Sequence, residues 1–406
     1  MGTTGTGTGT TKGTGTTTYV GERRVLDADS HVMELADFLD PFVDPEFKDR
    51  LRDVTSGRLD AVLTDAVAKS EARRSDAEVV KLAEERLLQD KGWYAMGAFD
   101  PAERSRVVDL LGVEGQLVFA TFATARFVGK DQDRLYAGSS AQNMAMADFC
   151  SEDERLYPVA FVPLVDPSRA VTLAVEAIEA GCAAVMVPST SAGALAPTHP
   201  DLHGFWEVLS EANVPFVLHV GGGGRLIDPT FHNNAMPVPD HLGGGENVRS
   251  KDFLGIPHSP EVFLGTLIYD GLFDRFPKLR GGCIEQGAGW VVSWMRHLDY
   301  GIRAFRRTEE PLQRLELTPS DYVRRHLKFT PFPGEPVDWM IEQSGAELFM
   351  FSTDFPHPEG GRDPLRKFDD ALAGSSEEVR SKFFYENMHE LLSGARTATA
   401  TATATA

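Results

Sequence analysis

Val25-Leu26-Asp27-Ala28-Asp29-Ser30-His31 reads as a short apolar strand that ends in Asp-Ser-His. Side chains alternate between the two faces of a strand, so Asp29 and His31 point the same way, about 6–7 Å apart along the backbone. A carboxylate and an imidazole at the mouth of a buried strand can hold a divalent metal. An isolated Asp-x-His triplet arises often by chance. Its weight here comes from later strand-like runs, two of which end in His219 and Asp354. Asp27 shares the same face by parity but lies deeper, where a buried hydrogen-bonding role is the simpler reading.

Outward from this stretch the chain alternates between apolar runs and helical patterns. The runs are 116–120 (QLVFA), 159–164, 182–187 (CAAVMV), 215–220 (PFVLHV), 279–284, 326–329 and 348–352 (LFMFS). Helical patterns occupy 101–111, 135–151, 167–180, 205–212, 259–276, 290–298, 337–344 and 376–392. Asp100-Pro101 caps the first of these and Gly112 closes it, while Gly181 ends the third. Trp290, Trp294 and Leu298 recur every four residues, the spacing of a packed helix face. Strands that are continuously apolar rather than alternating are buried on both sides, as in a parallel sheet. Eight βα units predict an α/β protein with a closed (β/α)₈ TIM barrel. An open doubly wound sheet is the alternative, lowered because the first strand does not run into a G-x-G-x-x-G turn.

Three segments fall outside the alternation. Residues 1–18 are almost entirely Thr and Gly and residues 397–406 are an Ala-Thr repeat, so 1–18 and 395–406 are expected to be disordered tails. Residues 46–97 are charged, with Leu82, Leu87 and Leu88 among Glu, Lys and Arg. They predict a helical insertion after strand 1 of a domain spanning 19–394. A small-molecule site would draw its specificity from this insertion and from the loop at 221–258.

The bulk composition bounds the function. With 42% hydrophobic and 25% charged residues the chain has the balance of an ordinary globular protein. Its net charge of -20 argues against nucleic acid and anionic membranes, which need basic patches. No apolar run approaches the length of a membrane span, and the N-terminus lacks a basic-then-apolar signal pattern. Cys150, Cys182 and Cys283 are far apart and lack metal-binding spacing. Free thiols in apolar runs fit a reducing, cytoplasmic location.

In a barrel, active groups sit at the C-terminal ends of the strands. Those ends carry Asp29 and His31, then His219, Glu285 and Asp354, each closing a run that is otherwise apolar. If the ring closes, they converge on one axis. His232, His241 and His258 lie in the loop after strand five, and His357 follows Asp354 closely; these four are candidate substrate-binding groups. Gly221 to Gly224 lack a following Gly-Lys-Ser/Thr, so backbone freedom near the site is a better reading than a phosphate cradle.

The chain resembles the amidohydrolase-related family typified by aminocarboxymuconate-semialdehyde decarboxylase, over roughly residues 24–392. The resemblance rests on Asp29-Ser30-His31, on the His199 to Trp206 segment leading to Pro215-Phe216-Val217-Leu218-His219, and on Arg275-Phe276-Pro277-Lys278-Leu279. Ser352-Thr353-Asp354-Phe355-Pro356 and the closing Glu386-Asn387 complete it. It implies a barrel with one divalent metal, Asp29 and His31 as the first-strand ligand pair, His219 as the fifth-strand ligand and Asp354 as the eighth-strand carboxylate. Two departures stand out. The usual first pair is His-x-His or Glu-x-His, and the family's sixth-strand proton-handling His is replaced by Glu285. Glu285 could take over that role if burial or neighbouring carboxylates raise its pKa.

Strand four ends Met186-Val187-Pro188-Ser189, with no lysine to bridge two metals, so one metal is expected. Zinc fits imidazole plus carboxylate, and manganese is the harder alternative. The expected activity is that of a hydrolase. Metal-activated water would attack an amide, ester or C–C carbonyl of a small cyclic or aromatic substrate, with Asp354 as general base and then acid. A non-oxidative decarboxylase of an aromatic or muconate-type acid is the first alternative, and a non-catalytic barrel binding protein the second. The resemblance also implies a possible homodimer.

Overall fold

The structure is a computed structural model that describes residues 18–52, 58–222, 225–236 and 248–393. The expected tails, apart from Thr18, lie outside the described residues, as do His241, Gly223 and Gly224.

Seven strands form one parallel sheet in sequence order. They are β1 (Leu26–Val32), β2 (Gly115–Ala120), β3 (Leu156–Phe161), β4 (Ala184–Met186), β5 (Phe216–His219), β6 (Gly281–Ile284) and β7 (Leu327–Phe329). β1 is buried along its whole length, polar residues included, as a strand covered on both faces must be. β6 begins with glycine for a steric reason: a Cβ on Gly281 would lie 2.2 Å from the ring of Phe216 on β5.

The sequence predicts an eighth strand at 348–352. The structure corrects its form but keeps its place. Leu348 ends a short 3₁₀ turn, Ala346–Leu348, and the extended segment after it has no regular ladder. Met350 N donates to Phe329 O on β7 (2.9 Å). On the other side Ala28 N donates to Phe351 O (3.0 Å), Asp354 N to Asp29 O (2.9 Å) and His31 N to Phe355 O (2.7 Å). The segment therefore lies between the last strand and the first, and the sheet curls into a TIM-like barrel. Just past this segment Asp354 takes a left-handed backbone conformation, φ 52°.

Helices α1 (Arg58–Ser75) and α2 (Ala77–Glu85) fall within the region read as a helical insertion. α1 is tied to α3 (Pro101–Leu111) by a buried ion pair in which Arg73 grips Glu103 with two hydrogen bonds, 2.7 and 2.9 Å. α3 is capped by Asp100 and closed by Gly112 at φ 75°, as its sequence predicts. Between α2 and α3, Gly92 N donates to Pro356 O (2.9 Å), and Trp93 stacks on Phe122 with centroids 5.0 Å apart. These contacts seat the segment beside the C-terminal rim of the barrel.

The remaining βα units follow the expected alternation, with α4 (Gln132–Cys150), α5 (Pro167–Glu179), α6 (His203–Ala212), α7 (His258–Tyr269), α8 (Val291–Phe305) and α9 (Val337–Ser344). Trp294 and Leu298 on α8 are buried, in keeping with a packing stripe. All three cysteines are buried and free. Among the described residues no helix is long and apolar enough to cross a membrane.

Candidate metal centre

The rim is built from β1 outward. Asp27, Asp29 and His31 share one face of the strand, and the barrel gives each a different depth. Asp27 lies deepest. Its carboxylate accepts from Thr353 N (2.8 Å), Thr353 Oγ1 (2.6 Å), Gln116 Nε2 (2.8 Å) and Asp29 N (3.3 Å). It thus ties β1 to β2 and to the closing segment, the structural role its parity and depth suggest. Burial pushes its pKa up to about 7, against the pull of Thr353 and Gln116.

Two residues further along, the chemistry changes. Asp29 Oδ1 lies 3.3 Å from His31 Nε2 and 3.5 Å from His219 Nε2. His219 Nε2 is also 3.3 Å from Glu285 Oε2, and His31 Nε2 is 3.5 Å from Asp354 Oδ1. The residues come from the ends of β1, β5, β6 and the closing segment. Ligating atoms of Asp29, His31, His219 and Glu285 all fall within 4.8 Å of one another, as do those of His31, Glu285, Asp354 and His357.

In their neutral form the ring nitrogens facing this cluster carry lone pairs. His219 Nδ1 is 3.0 Å from Val220 O, a carbonyl that can only accept, so the ring proton sits on Nδ1 and Nε2 carries a lone pair. Thr121 donates its hydroxyl proton to Val32 O (2.8 Å). Its oxygen therefore accepts from His357 Nε2 at 3.0 Å and faces His31 Nδ1 at 3.4 Å. That assigns the His31 proton to Nδ1 as well. Lone pairs thus face carboxylate oxygens. Both oxygens of Asp29, both of Asp354, and Nε2 of His31 and of His219 are buried without a hydrogen-bond partner. Acceptor atoms converging in a buried site repel one another unless positive charge lies between them, so these residues fit a divalent metal.

The electrostatics follow from burial. Burial and the adjacent His357 push the His31 imidazole down to about 3, so it is neutral, the form that ligates metal. Burial pushes Asp354 up to about 6, opposed by His357, whose Nδ1 lies 3.1 Å from Asp354 Oδ1.

Glu285 and Asp354 are both held in the left-handed region, at φ 51° and 52°. For residues other than glycine such backbones persist only where the surroundings enforce them. Glu285 N donates to Thr330 Oγ1 (2.9 Å). The turn that follows is clamped by the Glu335 carboxylate, which accepts from Ala288 N (2.9 Å), Gly289 N (2.7 Å) and Phe332 N (2.7 Å). Beyond Asp354, Gly360 leaves no room for a side chain: a Cβ there would sit 1.9 Å from Thr353 O. Asp29, Glu285 and Asp354 line a small cavity walled by Pro331, Phe332 and Pro333. A second concavity, lined by Asn213, Lys278, Arg280, Arg325 and Glu390, lies at the opposite, N-terminal end of the strands and holds none of the clustered acceptors.

Of the four histidines expected at substrate, the structure brings one to the cluster. His357 is buried and stacks on His31 with centroids 3.9 Å apart. His232 is paired with Asp252 at 2.9 Å. His258 opens α7, beside Ser259, which hydrogen-bonds Ser189 beyond the end of β4. His241 is outside the described residues.

Sequence reasoning missed three supporting residues. Thr121 ends the β2 run and was detectable as a strand-end polar group, although not an ionisable one. Glu34 is buried and accepts from Thr121 N (2.8 Å), Phe122 N (2.9 Å) and Ala123 N (3.2 Å), fixing the β2 loop. Arg104 is fully buried and donates to Gly97 O (2.7 Å) and to His31 O. An arginine on a charged helix gives no sequence signal that it points inward.

A family model described as Amidohydrolase matches residues 27–393. The chain belongs to the amidohydrolase family, a family of enzymes. Solved structures agree in fold. An amidohydrolase from Mycobacterium avium subsp. paratuberculosis superposes with TM-score 0.71 at 21% identity, covering 91% of this chain and 99% of that one. A 5-carboxyvanillate decarboxylase from Novosphingobium aromaticivorans, complexed with manganese and a nitrobenzoic acid, gives TM-score 0.61 at 17% identity over 92% and 96%. A dihydroxybenzoic acid decarboxylase from Polaromonas, with bound manganese and 2-nitroresorcinol, gives 0.57 at 19% over 91% and 97%. At these identities the likeness is one of fold. Among curated proteins no sequence matches significantly.

Proposed function

We propose that this protein is a metal-dependent hydrolase acting on a small cyclic or aromatic substrate at the C-terminal rim of its barrel. The observation that carries the reading is the convergence of buried acceptor atoms without a hydrogen-bond partner, both oxygens of Asp29 and Nε2 of His31 and His219. Asp29, His31 and His219 would hold one divalent cation, zinc or manganese. When bound, it would supply Lewis acidity, polarising a substrate carbonyl and lowering the pKa of water.

The chain's own groups would do the rest. Asp354, with a pKa of about 6, is ionised at pH 7 yet readily reprotonated, so it can take a proton from water on its carboxylate and return it to a leaving group. His357 Nδ1, 3.1 Å away, steadies that charge, and Thr121 fixes the His357 ring from its other nitrogen. Phe332 and the flanking prolines offer an apolar wall that excludes water and suits a ring.

A second reading, non-oxidative decarboxylation of an aromatic acid, is favoured by the fold likeness to two manganese-bound decarboxylases. There Asp354 would deliver its proton to a ring carbon as carbon dioxide leaves. The two readings separate in one screen of aromatic carboxylates, cyclic amides and esters with metal-loaded protein. Hydrolysis incorporates label from ¹⁸O water into product and releases no carbon dioxide. Stoichiometric carbon dioxide with no incorporation would replace the first reading with the second.

A further inference from the structure

The family resemblance assigns the closing carboxylate ligand to Asp354. The geometry points elsewhere: we propose that Glu285 is a direct ligand of the cation, completing a set with Asp29, His31 and His219, and that Asp354 stands beside the metal, engaged with His357. This rests on the metal-dependent reading above.

Three observations carry it. The ligating atoms of Glu285, Asp29, His31 and His219 lie within 4.8 Å of one another, whereas Asp354 groups instead with His31, Glu285 and His357. Glu285 Oε2 lies 3.3 Å from His219 Nε2, the nitrogen that a ring with its Nδ1 proton on Val220 O turns toward a cation. Asp354 Oδ1 has its nearest charged neighbour in His357 Nδ1 at 3.1 Å, closer than its 3.5 Å approach to His31 Nε2. The backbone is built to hold this position. Glu285 sits at φ 51°, anchored by Thr330, and the turn after it is clamped by three donors to Glu335. The substitution of the family's sixth-strand His by Glu285 then has a physical meaning. The position changes from one that handles protons to one that binds metal, and Asp354 is released for the proton.

Titration of chelator-treated full-length protein with Mn²⁺, read by the EPR signal of free ion, tests this. Glu285→Gln is expected to weaken binding about 100-fold or more, beyond the range of a residue that only orients a ligand. Asp354→Asn is expected to cost about 10-fold, the low end for a residue that stands beside the ligands without being one. Substitution with Co²⁺ gives the second readout: Glu285→Gln should change the visible bands, which respond to a lost ligand. Circular dichroism of the metal-free variants checks that both fold. If Glu285→Gln binds Mn²⁺ as wild type does, or leaves the Co²⁺ spectrum unchanged, or if Asp354→Asn is the variant that loses metal, the inference is overturned while the proposed function stands. Failure of wild type to bind Mn²⁺, Zn²⁺ or Co²⁺ would overturn both.

Discussion

Asp27 and Asp29 sit two residues apart on one face of one strand, both buried, and the protein treats them in opposite ways. The Asp27 carboxylate receives four protein hydrogen bonds; Asp29 receives none on either oxygen. The deep layer is a finished structural joint between β1, β2 and the closing segment. The rim layer lacks such donors to Asp29 among the described residues, and its acceptors fit a cation. Burial alone therefore does not distinguish a structural carboxylate from a functional one; the supply of donors does.

The largest effect expected from this contrast is on stability at the deep layer. Asp27→Ala strands buried donors on Thr353, Gln116 and Asp29 and should cost about 3–5 kcal/mol in urea unfolding. The metal content of whatever remains folded should be unchanged. Next comes the rim. Asp29→Asn should weaken metal binding about 100-fold yet leave the metal-free protein as stable as wild type, within about 1 kcal/mol, because it removes a repulsion rather than a bond. His219→Ala should abolish metal binding with little loss of secondary structure by circular dichroism. A strongly destabilised metal-free Asp29→Asn would erase the distinction between the two layers.

Support residues should give less. Thr121→Val removes the acceptor that fixes the His31 and His357 rings, so metal affinity should fall about 10-fold with the metal stoichiometry intact. The smallest effect belongs to a carboxylate met by a surface partner. Arg155 holds Asp153 down to about 2, below its ordinary 3.8. Stability from this pair is present above pH 4 and is lost as pH falls toward 2. Asp153 is buried but Arg155 is 32% exposed, so solvent screening should hold the pair to about 1 kcal/mol. Comparing the unfolding midpoints of wild type and Asp153→Asn across that window checks it.

Much of this arrangement was legible in the sequence because strand ends in a barrel are read from apolar runs. The runs before His219 and Glu285, and the Asp29-Ser30-His31 triplet, located those residues at one rim, and the Asp100 and Gly112 signals bounded α3 closely. The eighth strand keeps its place but not its form, because an apolar run does not tell a laddered strand from an extended segment tied by isolated bridges at Phe349 and Phe355. The loop histidines were equivocal for a related reason. Loop positions carry no periodicity, so only closeness to Asp354 set His357, stacked on His31, apart from His232, paired with Asp252. The pairing of Asp354 with His357, and the place of Glu285 nearer the first-strand ligands, depend on three-dimensional distances that spacing along a chain does not encode.

The central claim is that the rim acceptors require a cation. Chemical unfolding of the full-length protein with chelator, and again with Mn²⁺ at 100 times its dissociation constant, tests it most directly. The account predicts one bound ion per chain and a gain of about 2.7 kcal/mol, absent in His219→Ala. Identical unfolding curves in the two conditions, from wild-type protein that takes up no ion, would contradict it.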